Sequence, residues 1–143
     1  MPASTNSSDD SARAALERVL AQRLRDAIET TFAHDNDLLR RGWLVETCCL
    51  IEIGAEQLVL SIHNGRPTIA DRVPLLCSWD FAIRAGAEAW SALWQPFPQA
   101  GWHDLFALTK RGAMHVEGRL QPFMANLQYF KDLVTLPRAG GTR

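Results

Sequence analysis

Four side chains able to bind a metal or move a proton lie close together in the sequence: His103 and Asp104 are adjacent, and His115 and Glu117 follow two apart. On an extended chain His115 and Glu117 share a face. Imidazole nitrogens and carboxylate oxygens brought together are ligands for zinc or non-haem iron. The spacing matches no closed metal motif, so the expectation is no metal and histidines that are exposed or satisfied. Asp80 beside His103 or His115 would make an acid–base pair. Such a pair has nothing to activate, because no serine or cysteine sits in a nucleophile-elbow context, and neither GxSxG nor a phosphate-binding glycine loop occurs. Cys48 and Cys49 are adjacent and point to opposite sides of an extended chain, and Cys77 stands apart. That spacing suits neither a disulfide framework nor a CxxC metal site. The expectation is therefore no catalytic residue and no cofactor, with a small enzyme using Asp80, His103 or His115 as the least favoured reading.

The remaining chemistry is apolar. Trp90, Leu93 and Trp94 stand one helical turn apart, as do Trp102, Leu105, Phe106 and Thr109, and Leu120, Phe123, Met124, Leu127, Phe130 and Val134 form a longer stripe. Stripes of this kind either pack into a core or line a cavity. Met and aromatic side chains adapt well to a ligand, but periodicity alone does not separate the two cases.

The elements carrying these residues alternate between helical and extended patterns. Asp9, Asp10 and Ser11 offer N-cap oxygens to a helix whose inner stripe is Leu16, Val19, Leu20, Leu24, Ile28 and Phe32, with Glu17, Arg18, Arg25, Asp26 and Glu29 on a solvated face. From Trp43 to Ile53 the period becomes two, with Trp43, Val45, Thr47, Cys49, Ile51 and Ile53 on one side. Leu58 to His63 is a second strand, Asn64-Gly65 a tight hairpin turn, and a short third strand returns toward Ile69. Trp79, Phe81 and Ile83 mark a fourth strand that ends at Gly86. Two short helices follow, one through "AEAWSALWQ" and one through "WHDLFALTK", then the strand "AMHVEG" and a closing helix with Pro122 in its first turn. This order predicts an α+β fold: a mainly antiparallel sheet of about five strands, covered on one face by helices.

Residues 11–136 read as one domain, residues 1–10 as a disordered lead-in and residues 137–143 as a frayed tail. Lys plus Arg is 15 against 16 for Asp plus Glu, a formal net charge of −1. A chain without a global positive field is not expected to bind nucleic acid. Charges, Gly or Pro interrupt every apolar run before it could cross a bilayer, so no integral membrane insertion is expected. The polar start lacks the pattern of a secretory signal, and with the thiols expected to be reduced the reading is a cytoplasmic protein.

The run "CSWDFAIRAGAEAWSALW", followed by "AMHVEGRLQPFMANLQYFKDL", resembles the second half of the sterol carrier protein type 2 domain: an Asp-containing strand, a short helix, a strand ending in Gly, and a terminal apolar helix. The resemblance spans roughly residues 69–136. Between its two halves, "PFPQAGWHDLFALTKRG" is longer and richer in aromatics than the family's pattern. The resemblance implies helices closing an apolar tunnel over a sheet, for non-catalytic binding of a hydrophobic small molecule such as a fatty acyl chain or sterol. The candidate ligand-binding residues are then Trp90, Leu93, Trp94, Trp102, Leu105, Phe106, Phe123, Met124, Leu127 and Phe130. The alternative is an accessory subunit: the five tryptophans, Trp43, Trp79, Trp90, Trp94 and Trp102, would form an aromatic patch for a partner protein or a second copy.

Overall fold

The computed structural model describes residues 2–70, 73 and 78–138, with the side chains of 2–7 excepted. Cys77 and residues 139–143 lie outside the described residues. The first element is a long helix, α1 (Pro2–Thr31). It begins well before the Asp9–Ser11 cap expected from the sequence, so residues 2–10 are helical where a lead-in was expected. Its buried stripe is Leu20, Ala21, Leu24 and Ile28, continued by Phe32. Leu16 and Val19, expected on that stripe, are exposed, whereas Glu17, expected in solvent, is only 8 % exposed. The reason is local. Glu17 reaches the turn after the first strand and accepts the N–H of Ala55 at 3.2 Å.

A short helix, α2 (Asp37–Arg41), follows and has no counterpart in the sequence reading. Its signal was present in Asn36, whose side chain caps the helix by accepting from Leu39 N at 2.8 Å. The sheet then starts with β1 (Thr47–Ile53), β2 (Glu56–His63) and β3 (Arg66–Ile69), an antiparallel meander. Trp43 and Leu44 fall outside β1 and project into solvent, so the expected strand loses its first residues. The hairpin at Asn64-Gly65 forms as expected, with positive φ at both residues (51° and 80°).

Two strands complete the sheet, β4 (Phe81–Ala85) and β5 (Met114–Gly118), in the order β3-β2-β1-β4-β5. Three of the four pairings are antiparallel, and the fourth, the central strand β1 with β4, is parallel, with Cys49 opposite Phe81 and Ile53 opposite Ala85. The sheet is thus mixed. Its inner face presents Cys49, Ile51, Ile53, Leu58, Leu60, Ile62, Phe81, Ile83 and Met114 to the helices, and the main core lies between. Leu50, Val59 and Ala82 point the other way and are also buried, in a smaller cluster with Trp79 and Val73. This explains why β1 does not alternate cleanly between apolar and polar residues.

The helices over the inner face are α3 (Ala87–Leu93), α4 (Leu105–Lys110), α5 (Gln121–Ala125) and α6 (Leu127–Val134). The closing helix expected as one piece is two. It breaks at Asn126 (φ −127°, ψ 37°), whose side chain turns back to donate to Pro122 O at 2.9 Å. Leu120 and Met124 leave the expected inner stripe at this break and become exposed. Arg138, in the segment expected to fray, donates to Leu93 O at 3.0 and 2.9 Å and to His103 O at 2.7 Å.

The Glu17 contact requires the glycine beneath it. Gly54 has φ +60°, and a Cβ there would lie 1.9 Å from Glu17 Oε2. Gly54→Ala is therefore expected to lower unfolding free energy by about 1 to 3 kcal/mol in urea titrations. Adding Glu17→Ala should restore the steric part and leave the backbone part, so the double mutant will be more stable than the two single effects summed.

Candidate ligand-binding site

The ten residues expected to line a cavity separate into a core group, a cleft group and Trp102. Trp90, Leu93, Trp94 and Phe130 are packed in the core, with Trp90 and Trp94 rings 5.5 Å apart. Both indole N–H groups are spent on main chain: Trp90 donates to Glu52 O at 3.0 Å and Trp94 to Val134 O at 2.7 Å. These bonds tie α3 to the sheet and to α6. Phe130 belongs to an aromatic cluster with Phe81 (5.1 Å, edge to face), Tyr129 (5.2 Å, edge to face) and Phe123 (5.9 Å). Tyr129 adds a polar tie, donating to Gly65 O at 2.6 Å, and burial pushes its hydroxyl well above the usual range. Leu127 is half-buried against the same core.

Leu105, Phe106, Phe123 and Met124 do share a hollow. With Thr109, His115, Val116 and Leu120 they line a cleft of about 330 Å³ between α4, β5 and α5. Leu105 and Phe123 form its buried floor, and Phe106, Leu120 (40 % exposed) and Met124 (52 % exposed) its open rim. Trp102 lies elsewhere, in a cleft of about 670 Å³ lined also by Leu16, Ala92 and Phe97. Arg111 stacks on the Trp102 ring, its guanidinium carbon 4.3 Å from the centroid. The sequence reading missed Val116, Leu120 and Thr109 as cleft residues. Leu120 opened the apolar stripe and Thr109 sat at helical spacing from Phe106, so the signal existed; what was absent was the helix break that turns this part of the stripe outward.

The tryptophans do not gather into one patch. Trp90 and Trp94 are buried, Trp79 and Trp102 half-buried, and only Trp43, at 62 % exposure, projects freely. Phe97, not singled out in the sequence, is 92 % exposed in the loop after α3.

The polar candidates are brought together only in part. Asp104 caps α4, accepting from Ala107 N at 2.8 Å, and pairs with Lys131 at 3.1 Å. Burial raises its carboxyl, but the Ala107 N–H and the Lys131 charge outweigh that and hold it below the ordinary value. His103 is exposed, 3.9 Å from Asp104. Glu117 pairs with Arg84 at 3.5 Å, and Arg84 also takes Glu52 at 2.8 Å. Among the described residues no group of three or more His, Cys, Asp or Glu is placed to hold a metal ion. Cys49 is fully buried, which pushes its thiol far above the usual range, and Cys48 is half-buried on the opposite face.

Asp80 stands at the start of β4 and joins three segments. Its carboxylate accepts from Thr47 Oγ1 at 2.5 Å and Cys48 N at 3.2 Å. Its main chain donates to Cys48 O at 2.7 Å and accepts from Arg119 N at 2.6 Å. The Thr47 hydroxyl is the strongest influence on the carboxyl, followed against partial burial by the Cys48 N–H and the Arg119 charge, and the net result is a lowered value. Among the described residues no hydrogen bond or ion pair joins it to a histidine.

No family model matches the sequence, and no curated protein does. Solved structures do match. Sterol carrier protein 2 superposes with a TM-score of 0.57 over 85 % of this chain and 95 % of that one, at 15 % identity. A UbiJ-SCP2 ubiquinone synthesis protein superposes with a TM-score of 0.53 over 83 % and 95 %, at 18 % identity. The fold is that of sterol carrier protein 2. The sterol-carrier-like arrangement of an Asp-led strand, short helix, edge strand ending in Gly and terminal apolar helices was therefore legible in residues 69–136. Here Gly118 (φ +110°) ends β5, and a Cβ there would lie 2.7 Å from Asp80 O.

In this sterol-carrier-like fold Asp80 is a clasp, and its lowered carboxyl makes the clasp pH-sensitive. The unfolded chain, with an ordinary carboxyl near about 3.9, takes up the proton first as pH falls. The stabilisation is therefore complete above that value and lost as pH drops through the lower folded-state value. Asp80→Ala should cost about 1.5 to 3 kcal/mol at pH 7 in denaturant titrations, and its deficit relative to wild type should hold down to about pH 4 and shrink as pH falls further.

Proposed function

We propose that this chain binds a hydrophobic small molecule, a lipid, in the cleft between α4, β5 and α5, and performs no covalent chemistry on it. The observation that carries this reading is the cleft itself: apolar floor and rim, Phe106, Leu120 and Met124 held in solvent, and no carboxylate, lysine or arginine in the lining, where His115 is the one ionisable side chain. Apolar surface left in water gains roughly 25 cal/mol per Å² when a ligand covers it. At about 330 Å³ the cleft lies at the lower end of the roughly 300 to 1,000 Å³ typical of small-molecule sites, which suits one chain better than two. The shared fold supports the reading, since both superposed structures carry the sterol carrier name. One of them is a ubiquinone synthesis protein, which adds a polyprenyl quinone to fatty acids and sterols as ligands to test. The thiols of Cys48 and Cys49 support a cytoplasmic site of action. No helix among the described residues is long and apolar enough to cross a membrane.

The test is native mass spectrometry after incubation with oleic acid, cholesterol or ubiquinone. At least one should remain bound at one molecule per chain. Met124→Trp, which fills the mouth from an exposed position, should reduce that uptake by about tenfold or more while the Tm moves by no more than about 2 °C. Folded wild type that retains none of the three overturns the reading.

A further inference from the structure

His115 occupies a place in the fold that the lipid-binding reading does not use. It lines the apolar cleft and also a neighbouring depression of about 400 Å³ whose lining includes Glu52 and Arg84. It is exposed, on edge strand β5, directly opposite Arg84 of β4 in register. It makes no hydrogen bond or ion pair among the described residues. The only other cleft side chain with a polar nitrogen or oxygen is Thr109, and its hydroxyl proton is committed to Phe106 O at 2.8 Å. The ring N–H of His115 is therefore the side-chain donor left at the boundary between an apolar hollow and a polar one.

We propose that His115 is a specificity-determining residue that selects an apolar chain ending in an uncharged hydrogen-bond acceptor, a carbonyl oxygen, with the chain in the cleft and the oxygen on the imidazole N–H. The proposal rests on the lipid-binding reading and adds the chemistry of the head. Charge around the imidazole decides between heads. Arg84 is already shared between Glu52 at 2.8 Å and Glu117 at 3.5 Å, so two carboxylates face one guanidinium beside His115. An anionic head would meet two carboxylates around that one guanidinium and lose its own hydration beside them. An ammonium head would sit beside the Arg84 guanidinium and would leave the imidazole N–H without an acceptor. A carbonyl satisfies the donor and brings no charge.

The experiment compares binding of a long-chain methyl ketone, the alkane of equal length and the carboxylate of equal length to wild type, His115→Leu and His115→Gln, by calorimetry or displacement of a fluorescent probe. His115 is exposed, so all three proteins should share one Tm. Wild type is expected to bind the ketone about five- to tenfold more tightly than the alkane, the range a single neutral hydrogen bond supplies. His115→Leu should abolish that preference, so that ketone and alkane bind alike, and His115→Gln, which keeps an N–H donor, should restore part of it. A ketone preference that survives in His115→Leu, or a wild type that prefers the carboxylate, overturns the assignment of His115 and leaves lipid binding standing. Absence of binding by all three chains to folded wild type overturns both.

Discussion

Everything on the helical side of this molecule follows from the parallel pairing of β1 with β4. The first three strands make a meander that would otherwise end at β3, with its inner face open to water. Placing Phe81–Ala85 alongside Cys49–Ile53 instead of at the meander's far edge extends the sheet on the opposite flank, where β5 then joins it and the later helices fold back over one face. The clasp that holds this register is small. Asp80 grips Thr47 and Cys48 at the head of β1, and its carbonyl fixes Arg119 just after β5, so one residue couples the start of β1, the start of β4 and the end of β5. Parallel strands require a long connection, and the closing entropy of that connection is offset at the point where the strands meet.

The space enclosed by this arrangement is filled by protein. Phe81 rises from the sheet into Phe123, Phe130 and Tyr129, and Trp90 and Trp94 close the other end beneath α1 and α6. Interiors of this kind are packed about as tightly as organic crystals, and the two indole N–H bonds and the Tyr129 bond to Gly65 O leave these rings little freedom to move aside. The open apolar surface lies at the margin, where the closing helix breaks at Asn126 and α5 tilts away from the stripe begun in α6. Binding surface and core are thus neighbouring stretches of one amphipathic pattern, separated by a single non-helical residue.

This arrangement also explains what the sequence made readable. Periodicity located the strands and the two short helices within a few residues, most clearly in β1, β2 and β4, where burial is strongest. The Asn64-Gly65 hairpin was legible from its dipeptide, since few other residues tolerate its torsion angles. The parallel pairing was not readable, because nothing in the local patterns of β1 and β4 distinguishes parallel from antiparallel neighbours. Glu17 misled for a related reason. A glutamate among Arg18, Arg25 and Asp26 looks like surface until the β1–β2 turn, remote in sequence, supplies a backbone donor. The candidate site was half legible: Leu105, Phe106, Phe123 and Met124 share a cleft, whereas Trp90, Leu93, Trp94 and Phe130 obey the same spacing and are core. Hydrophobic spacing reports that a residue faces inward, and the presence or absence of a neighbour there depends on distant chain.

The depth at which Glu17 anchors α1 has a consequence for that helix as a physical object. At about 1.5 Å per residue its 30 residues extend roughly 45 Å. Continuous burial starts at Glu17, and residues 8–13, 15 and 16 expose their side chains. The stretch from residue 8 to residue 13 is therefore an overhang. Tertiary packing cannot stabilise it, so its helicity rests on cooperative growth from the anchored turn, which removes the nucleation cost that makes short free helices marginal. The overhang is in effect a peptide in helix–coil equilibrium, seeded at one end by a folded domain and tuned by temperature and solvent independently of the sheet.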